Sequence, residues 1–600
     1  MKRHTMRAGF SCVALLAAAA CAEEAEDGKT DTPPMVPDEI RDNTAPVIAD
    51  VRPPPLSGGT LLITNDGTAV AADPDRDRVM LVQIPAGEPR EVLLSPGDEP
   101  GRSVEDALGR VHVALRRGGA IATIDLATGA VVARREVCGA PRGIAYDAAA
   151  DFLHVACAGG ELVSLSASDL VAPPVATRII QPDLRDVVVA GDRLLVSTLR
   201  GAQVLSISLA GAPTVTMQPA PSTSNDFEGN LVNFAPSVGW RMIPTGDGTA
   251  LMAHAMAQTD PIDMDDEMGT AYMGGGPSLV RSELSVITSG ALDQLRVPDL
   301  EFTSLPVDLA RSASTGRVAV LDPLHGVFEY DATRLGIDAA IGIGFTEGAS
   351  AIAYAPNGLL VVQSREPAGL SMLENGVVIS AIELGGAPRV DTGFELFHGQ
   401  GSAMSASGLA CASCHPEGRE DGHVWQFSDV GARRTQSLAG TLAGTAPFHW
   451  EGDLATLEAL LDEVMMRRMG ALPQSAERTD ALRTWLESIP PVHTAPALAS
   501  GTGDVERGRA LFGSEETLCT SCHSGPSQTN ATTVYVGTGV ALQVPSLAGL
   551  GTRAPYMHDG CAATLFDRFR PECGGGDMHG FTSHLGEADI RDLVAYMLTL

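Results

Sequence analysis

Two short segments carry residues whose types and spacing do recognisable chemistry. Cys411-Ala412-Ser413-Cys414-His415 and Cys519-Thr520-Ser521-Cys522-His523 both read C-x-x-C-H, the attachment signature of c-type haem. Two thiols at that spacing form thioethers to the haem vinyls, and the adjacent imidazole becomes the proximal iron ligand. The motifs therefore predict two haem c groups, held by Cys411, Cys414, Cys519 and Cys522, with His415 and His523 on the irons. The competing readings, a zinc site or a redox dithiol, are disfavoured because the motif occurs twice, each time followed by a related downstream pattern.

The other six of the ten cysteines follow from this chemistry. Cys12 lies in an N-terminal apolar stretch and Cys21 ends it. Haem attachment of this kind and disulfides both belong outside the cytoplasm, so the sequence-local pairs Cys138/Cys157 and Cys561/Cys573 are expected to be bridged.

Residues 1–21 read as a signal peptide, with Lys2, Arg3 and Arg7 before an apolar core running from Cys12 to Ala20. The core is too short to span a bilayer as a mature helix. Leu16 to Cys21 resembles a bacterial lipobox, which implies lipidation of Cys21 and an outer-membrane or periplasmic location; ordinary cleavage within the alanine run is the alternative. Residues 22–50, acidic and proline-bearing, are expected to be a flexible tether. Nothing later is apolar and long enough for a transmembrane helix, so contact with a membrane is expected only through a lipid anchor. A net charge of −33 argues against nucleic acid, while a small redox protein or another periplasmic electron donor or acceptor is compatible.

Two architectures must position the motifs. Over residues 51–390 the chain repeats an apolar strand, a turn rich in Asp, Gly or Asn, and a second apolar strand. Seven copies begin near Ile63, Val104, Ile144, Val187, Met242, Val307 and Ile352. Most starts lie ~40–45 residues apart, the period of four-stranded propeller blades. Two longer intervals coincide with insertions around Pro219 to Val238 and Gln258 to Pro277. The units resemble the YVTN-type β-propeller, as in Ile144-Ala145-Tyr146-Asp147 through Leu153-His154-Val155-Ala156. The fold class expected is therefore multidomain, a seven-bladed β-propeller followed by two mainly α-helical cytochrome c domains. Asp73, Asp75 and Asp77, and Asp260, Asp263, Asp265 and Asp266, suggest calcium, but neither cluster has the spacing of an EF-hand loop, and solvated loop charge accounts for both.

The helical half is itself duplicated, as residues 391–492 and 504–600 joined by a linker at 493–503. Gly393 to Phe397, the motif at Cys411, Ser437 to Gly440 and Ala446 to Gly452 are matched by Gly508 to Phe512, the motif at Cys519, Ser546 to Gly549 and Ala554 to Gly560. Each copy then enters an amphipathic helical stretch, Leu454 to Met466 in one and Ile590 to Leu600 in the other. Aligning the copies sets Met469 opposite Met578-His579, 17 to 19 residues past the shared glycine, Gly452 or Gly560. A thioether or second imidazole there would close an iron and tune its potential.

Residues 391–600 resemble the bacterial di-haem cytochrome c peroxidases and their relative that matures methylamine dehydrogenase. The resemblance rests on Gly422 to Gln426, Gly431 to Leu438, His449 to Gly452 and Tyr556 to Gly560. It implies that His423 can cap the first iron, that Trp425, His449, Trp450, Tyr556 and His558 line the haem pockets, and that His558 hydrogen-bonds near the second haem. Met469 competes with His423 at the first iron; His579, Met578 and Met557 compete at the second. The chain departs from the family where peroxide should be handled: in an ungapped reading Leu460 and Gly470 replace its Gln and Glu, and only a shift brings in Glu463 or Glu477. Without a positioned carboxylate, O–O cleavage lacks its acid/base. The function expected is electron transfer by an exported di-haem cytochrome, with a di-haem peroxidase or oxidase, or a propeller docking module with a haem relay or sensor, as alternatives.

Overall fold

A computed structural model describes residues 41–600 apart from 210–213, 227, 247, 265–277, 296, 332–339 and 345–347. The signal peptide, Cys21 and the first part of the tether lie outside the described residues.

Seven antiparallel sheets, at 61–93, 100–136, 141–179, 184–217, 222–295, 308–344 and 349–383, form the propeller. Each is built of strands consecutive in sequence, and the fifth has five strands where the others have four. Period-two patterning selects the strands. In the third blade Leu153 and Val155 face inward and pair with Tyr146 and Ile144. The innermost strands line the axis with charge: Asp186 meets Arg102 at 2.9 Å and Arg241 at 3.1 Å, and Arg241 meets Asp308 at 3.2 Å. Taking such charges out of water is costly, and here each carboxylate finds a guanidinium across a blade boundary.

Both expected disulfides are present. Cys138–Cys157 ties the entry of the third blade to its second strand, and Cys561–Cys573 closes a loop of the second helical domain, with Cα–Cα distances of 6.4 and 5.8 Å. Among the described residues the cysteines outside these bridges are Cys411, Cys414, Cys519 and Cys522. No helix among the described residues is long and apolar enough to cross a membrane.

The two helical domains share one scaffold, a first helix crossed by a closing helix. In the first domain Asp391 caps Thr392–Phe397 by accepting from the Phe394 amide at 3.1 Å. That helix packs on Ala476–Glu487 at Gly393, where a Cβ would lie 2.4 Å from the Trp485 Cβ. In the second, Asp504 caps Val505–Phe512, which packs on Glu587–Met597 at Gly508, where a Cβ would lie 1.8 Å from the Asp592 carbonyl oxygen. Only glycine permits either approach. The helical stretch expected at Leu454 to Met466 appears as Leu457–Leu461 continuing into a π-helix, Asp462–Arg468. The counterpart of the chain's last helix is instead Ala476–Glu487.

Residues 41–50, expected to be part of a flexible tether, are fixed on the first helical domain. Arg41 is buried, donating to Asp462 and to the Gln474 carbonyl at 2.8 Å each, and Asp42 pairs with Gln474 as a parallel bridge. The Trp485 indole donates to the Pro53 carbonyl at 2.8 Å. Acidic composition hid two backbone-paired residues and one buried cation.

Candidate functional site

The first motif lies on the short helix Cys411–Cys414, pressed against the propeller. Ala412 and Ser413 are 2% and 1% exposed, and the Ser413 hydroxyl lies 3.0 Å from that of Ser304, between the fifth and sixth blades. Burial raises the Cys411 thiol to about 11 and the Cys414 thiol well above its ordinary value. That is the reverse of a reactive dithiol, in which the environment stabilises the thiolate. His415 is held by its Nδ1, 3.1 Å from the Arg419 carbonyl, which leaves Nε2 for a metal. Burial lowers its pKa, keeping it neutral, the ligating form.

The chain after His415 is a row of buried charges that sequence reading passed over. Glu417, at φ 55°, pairs with Arg185, accepts from the Ser57 hydroxyl at 2.6 Å and meets Arg142 at 3.3 Å. Arg419 meets Asp183 at 2.6 Å, and Arg200 meets Asp183 at 3.0 Å and pairs with Glu420. Burial alone would raise the Glu420 carboxyl, but Arg200, Arg553, Arg434 and Arg419 together pull it down to about 2. The available signal was a contrast between copies: Glu417-Gly418-Arg419-Glu420-Asp421 follows the first motif, and Gly525-Pro526-Ser527 the second.

The second motif sits on a more open loop, with Thr520 and Ser521 exposed. His523 is anchored as His415 is, its Nδ1 3.1 Å from the Gln528 carbonyl. Burial lowers its pKa to about 4. Facing it is His579: the ring centroids are 6.4 Å apart and the planes inclined by 36°. Stacked rings lie closer, as Phe581 and His584 do at 5.1 Å. The wider gap suits one metal ion bonded to both imidazoles at ~2 Å. Burial, then Arg568 and His523, holds the His579 pKa well below its ordinary value. Arg568, also missed from sequence, donates to the His579 carbonyl, and the Phe581 amide donates to the Thr517 carbonyl at 3.0 Å, tying this loop to the attachment loop. Of the competing candidates, Met578 is 57% exposed and Met557 is half-buried in the helical core of the domain.

At the first site Met469 is 5% exposed and belongs to the same apolar cluster as Cys411 and Cys414. His423 is placed otherwise: its Nε2 lies 2.8 Å from the Gln258 carbonyl of the fifth blade, and its ring packs edge-on against Trp425. The blade-five insertion explains this, since Ile262 pairs in parallel with Phe427 and joins the hairpin Val424–Phe427/Gly431–Arg434. The Trp425 indole donates to Thr435 at 3.0 Å. His449 lies 3.2 Å from Asp453. Leu460 packs on the core and Gly470 sits at φ 69°, neither able to move a proton. Glu463 has both oxygens engaged, by Arg467 at 2.8 Å and Arg468 at 3.0 Å, and Glu477 is exposed.

The copies meet through equivalent loops. The amide of Arg434 donates to the His558 carbonyl at 2.6 Å and that of Gln543 to the Trp450 carbonyl at 2.7 Å, a reciprocal exchange between matching positions. Trp450 and His558, themselves matched in the duplication, meet edge to face at 6.3 Å. Tyr556 is buried beside them, its hydroxyl raised to about 12 by burial.

Residues 505–600 match the cytochrome c family model. The C-terminal part of the helical region is therefore a cytochrome c domain, and the cofactor it implies is haem c. The site fits that group: paired free thiols beside a carbonyl-anchored imidazole, with a second imidazole opposite. The chain is 26% identical to hydrazine synthase subunit gamma of Kuenenia stuttgartiensis, over 33% of this chain and 74% of that protein. Among solved structures, hydrazine synthase of the same organism overlaps 55% of this chain and 97% of its own, at 15% identity and a TM-score of 0.43. Virginiamycin B lyase of Staphylococcus aureus overlaps 55% and 96%, at 11% and 0.37.

Calcium gains no support among the described residues. Asp73 accepts from Arg76 and Arg78, Asp75 meets Arg365 at 2.7 Å, and Asp260 accepts from Asn233. Asp265 and Asp266 lie outside the described residues.

Proposed function

We propose that this chain is an exported di-haem c-type cytochrome that transfers electrons between small redox proteins at the cell envelope, with the propeller as a rigid cradle for the first haem domain. The observation that carries the reading is the opposed pair His523 and His579. Haem c, when bound, supplies one-electron redox chemistry. Cys411, Cys414, Cys519 and Cys522 would anchor the two groups, and His415 and His523 would ligate the irons from the proximal side. His579 would close the second iron, which favours electron transfer over ligand binding. Trp450 and His558 lie between the copies, where an aromatic contact shortens the path from one domain to the other. Two disulfides suit an oxidising compartment, and the sequence of residues 1–21 supports export and a lipid anchor at Cys21.

The peroxidase-like scaffold is read as one that has lost peroxide chemistry, because Leu460 and Gly470 cannot act as acid or base and Glu463 is committed to two arginines. A second reading, a redox enzyme, is favoured by the likeness to hydrazine synthase subunit gamma and by His423, whose Nε2 is turned to Gln258 and away from ligation.

The test is mass spectrometry and electron paramagnetic resonance of the purified protein. Two covalent haems are expected, with one low-spin centre that becomes high-spin and binds carbon monoxide in His579→Ala. A single haem, or an unaltered spectrum in that variant, overturns the assignment. Carbon monoxide binding by the unmodified half-reduced protein would select the enzyme reading.

A further inference from the structure

Outside the haem sites, the structure contains a cavity of about 410 Å³ where the second and third blades, residues 52–55, the loop after His415 and the linker at 488–496 converge. Five arginines and three glutamates line it, an excess of cations in a chain of net charge −33. Arg419 and Arg52 meet carboxylates outside the lining, Asp183 at 2.6 Å and Asp391 at 3.8 Å, whereas Arg116 and Arg142 each keep an Nε without an acceptor. Arg116 is 6% exposed, its Nε has no hydrogen-bond partner, and its nearest carboxylate oxygen, on Glu99, is 3.9 Å away. Arg142 faces Glu417 at 3.3 Å without a hydrogen bond from its Nε, and Glu417 is already shared with Arg185 and Ser57. Glu161, half-buried, has its pKa raised by burial, which weakens it as a counter-ion. Buried guanidinium donors left without acceptors are costly, and a ligand with several acceptor oxygens would remove that cost.

We propose that this cavity is a binding site for a small multivalent oxyanion, of the carboxylate or phosphate kind, held by Arg116 and Arg142. The site touches Glu417 and Arg419, in the loop that follows the first proximal histidine, so occupancy is felt beside the first haem domain. Its existence does not depend on how many haems the protein carries.

Isothermal titration of the purified full-length protein with inorganic phosphate and, separately, with citrate at constant ionic strength tests the site. One saturable event is expected, and the anion that produces it identifies the phosphate or the carboxylate class. Arg116→Gln and Arg142→Gln should each weaken binding by about tenfold or more, the worth of a hydrogen bond to a charged group. Should either variant misfold, hydrogen exchange of the unmodified protein supplies the answer: the bound anion should slow exchange at 139–142 and 488–496 and leave the sixth blade unchanged. No saturable heat with either anion, undiminished affinity in both variants, or unchanged exchange at those segments overturns the proposal.

Discussion

The two helical domains are copies of one scaffold set in opposite surroundings. The first is walled by the propeller: its attachment helix is buried, and the loop beyond His415 is held by Arg185, Asp183 and Arg200 from the third-to-fifth-blade side of the ring. The second has an exposed C-x-x-C-H loop, a disulfide where the first has none, and a histidine facing His523. One unit, duplicated, is stabilised by ionic docking in one place and by a covalent staple in the other.

The sharpest way to break the comparison is to remove Arg200, the cation shared by Asp183 and Glu420. Arg200→Met strands buried carboxylates and should cost the docked domain ~3–5 kcal/mol. Hydrogen exchange of Thr392–Phe397 and Ala476–Glu487 should accelerate accordingly. A surface cation of the second domain serves as contrast: Arg507→Ala loses pairs made by an exposed side chain, with Asp589 and with Asp592 at 3.5 Å, and should cost ~1 kcal/mol or less. Equal losses would show that burial does not distinguish the two.

Breaking the staple comes next. Cys561→Ser with Cys573→Ser should lower the stability of the second domain by ~2–4 kcal/mol and leave the first unaltered. Thermal unfolding followed by exchange in Glu587–Met597 reads it.

Acid separates the domains differently. Glu420 has its pKa depressed to about 2, so the stability it contributes is fully present above the unfolded value of ~4.3 and is lost as pH falls from there through about 2. Between those limits the first domain should detach from the propeller before the second unfolds, and Glu420→Gln should flatten that pH dependence. Proteolysis across the pH series would check the order.

A further pair of substitutions sharpens the kinship of the copies. Gly393→Ala and Gly508→Ala each place a methyl where no space exists and should cost ~1–3 kcal/mol by overpacking. Similar losses in both, measured by denaturant unfolding, would show that the helix crossing is the shared determinant.

Much of this was legible in the sequence, because covalent haem attachment fixes spacing and strands fix period. Cys411 to His415, Cys519 to His523, both cysteine pairs and the inner strands of all seven blades could be read directly. What escaped reading was partnership across distance. Nothing local marks Arg200 as the partner of Glu420, His423 as a donor to Gln258, or Arg434 and Gln543 as reciprocal donors between copies. Those choices are made by tertiary packing, and single-residue chemistry is silent about them. His579 was one candidate among three, and the opposed ring that singles it out exists only in three dimensions.

Residues 41–57 lie on the first helical domain, yet the rest of that domain begins after the seventh blade. Arg41 reaches Gln474 over a separation of 433 residues, and Trp485 reaches Pro53 over 432. The ring of blades is, in chain order, an insertion within the domain it cradles. During synthesis the opening strap must wait for nearly the whole chain before its seat exists, whereas each blade closes on its own neighbours at once. Assembly should therefore run from the middle outward, with non-local pairing the slow step. The second domain, local from its first helix to its last, has no such wait, so the haem site that appears later in the chain is free to form independently of the one encoded before it.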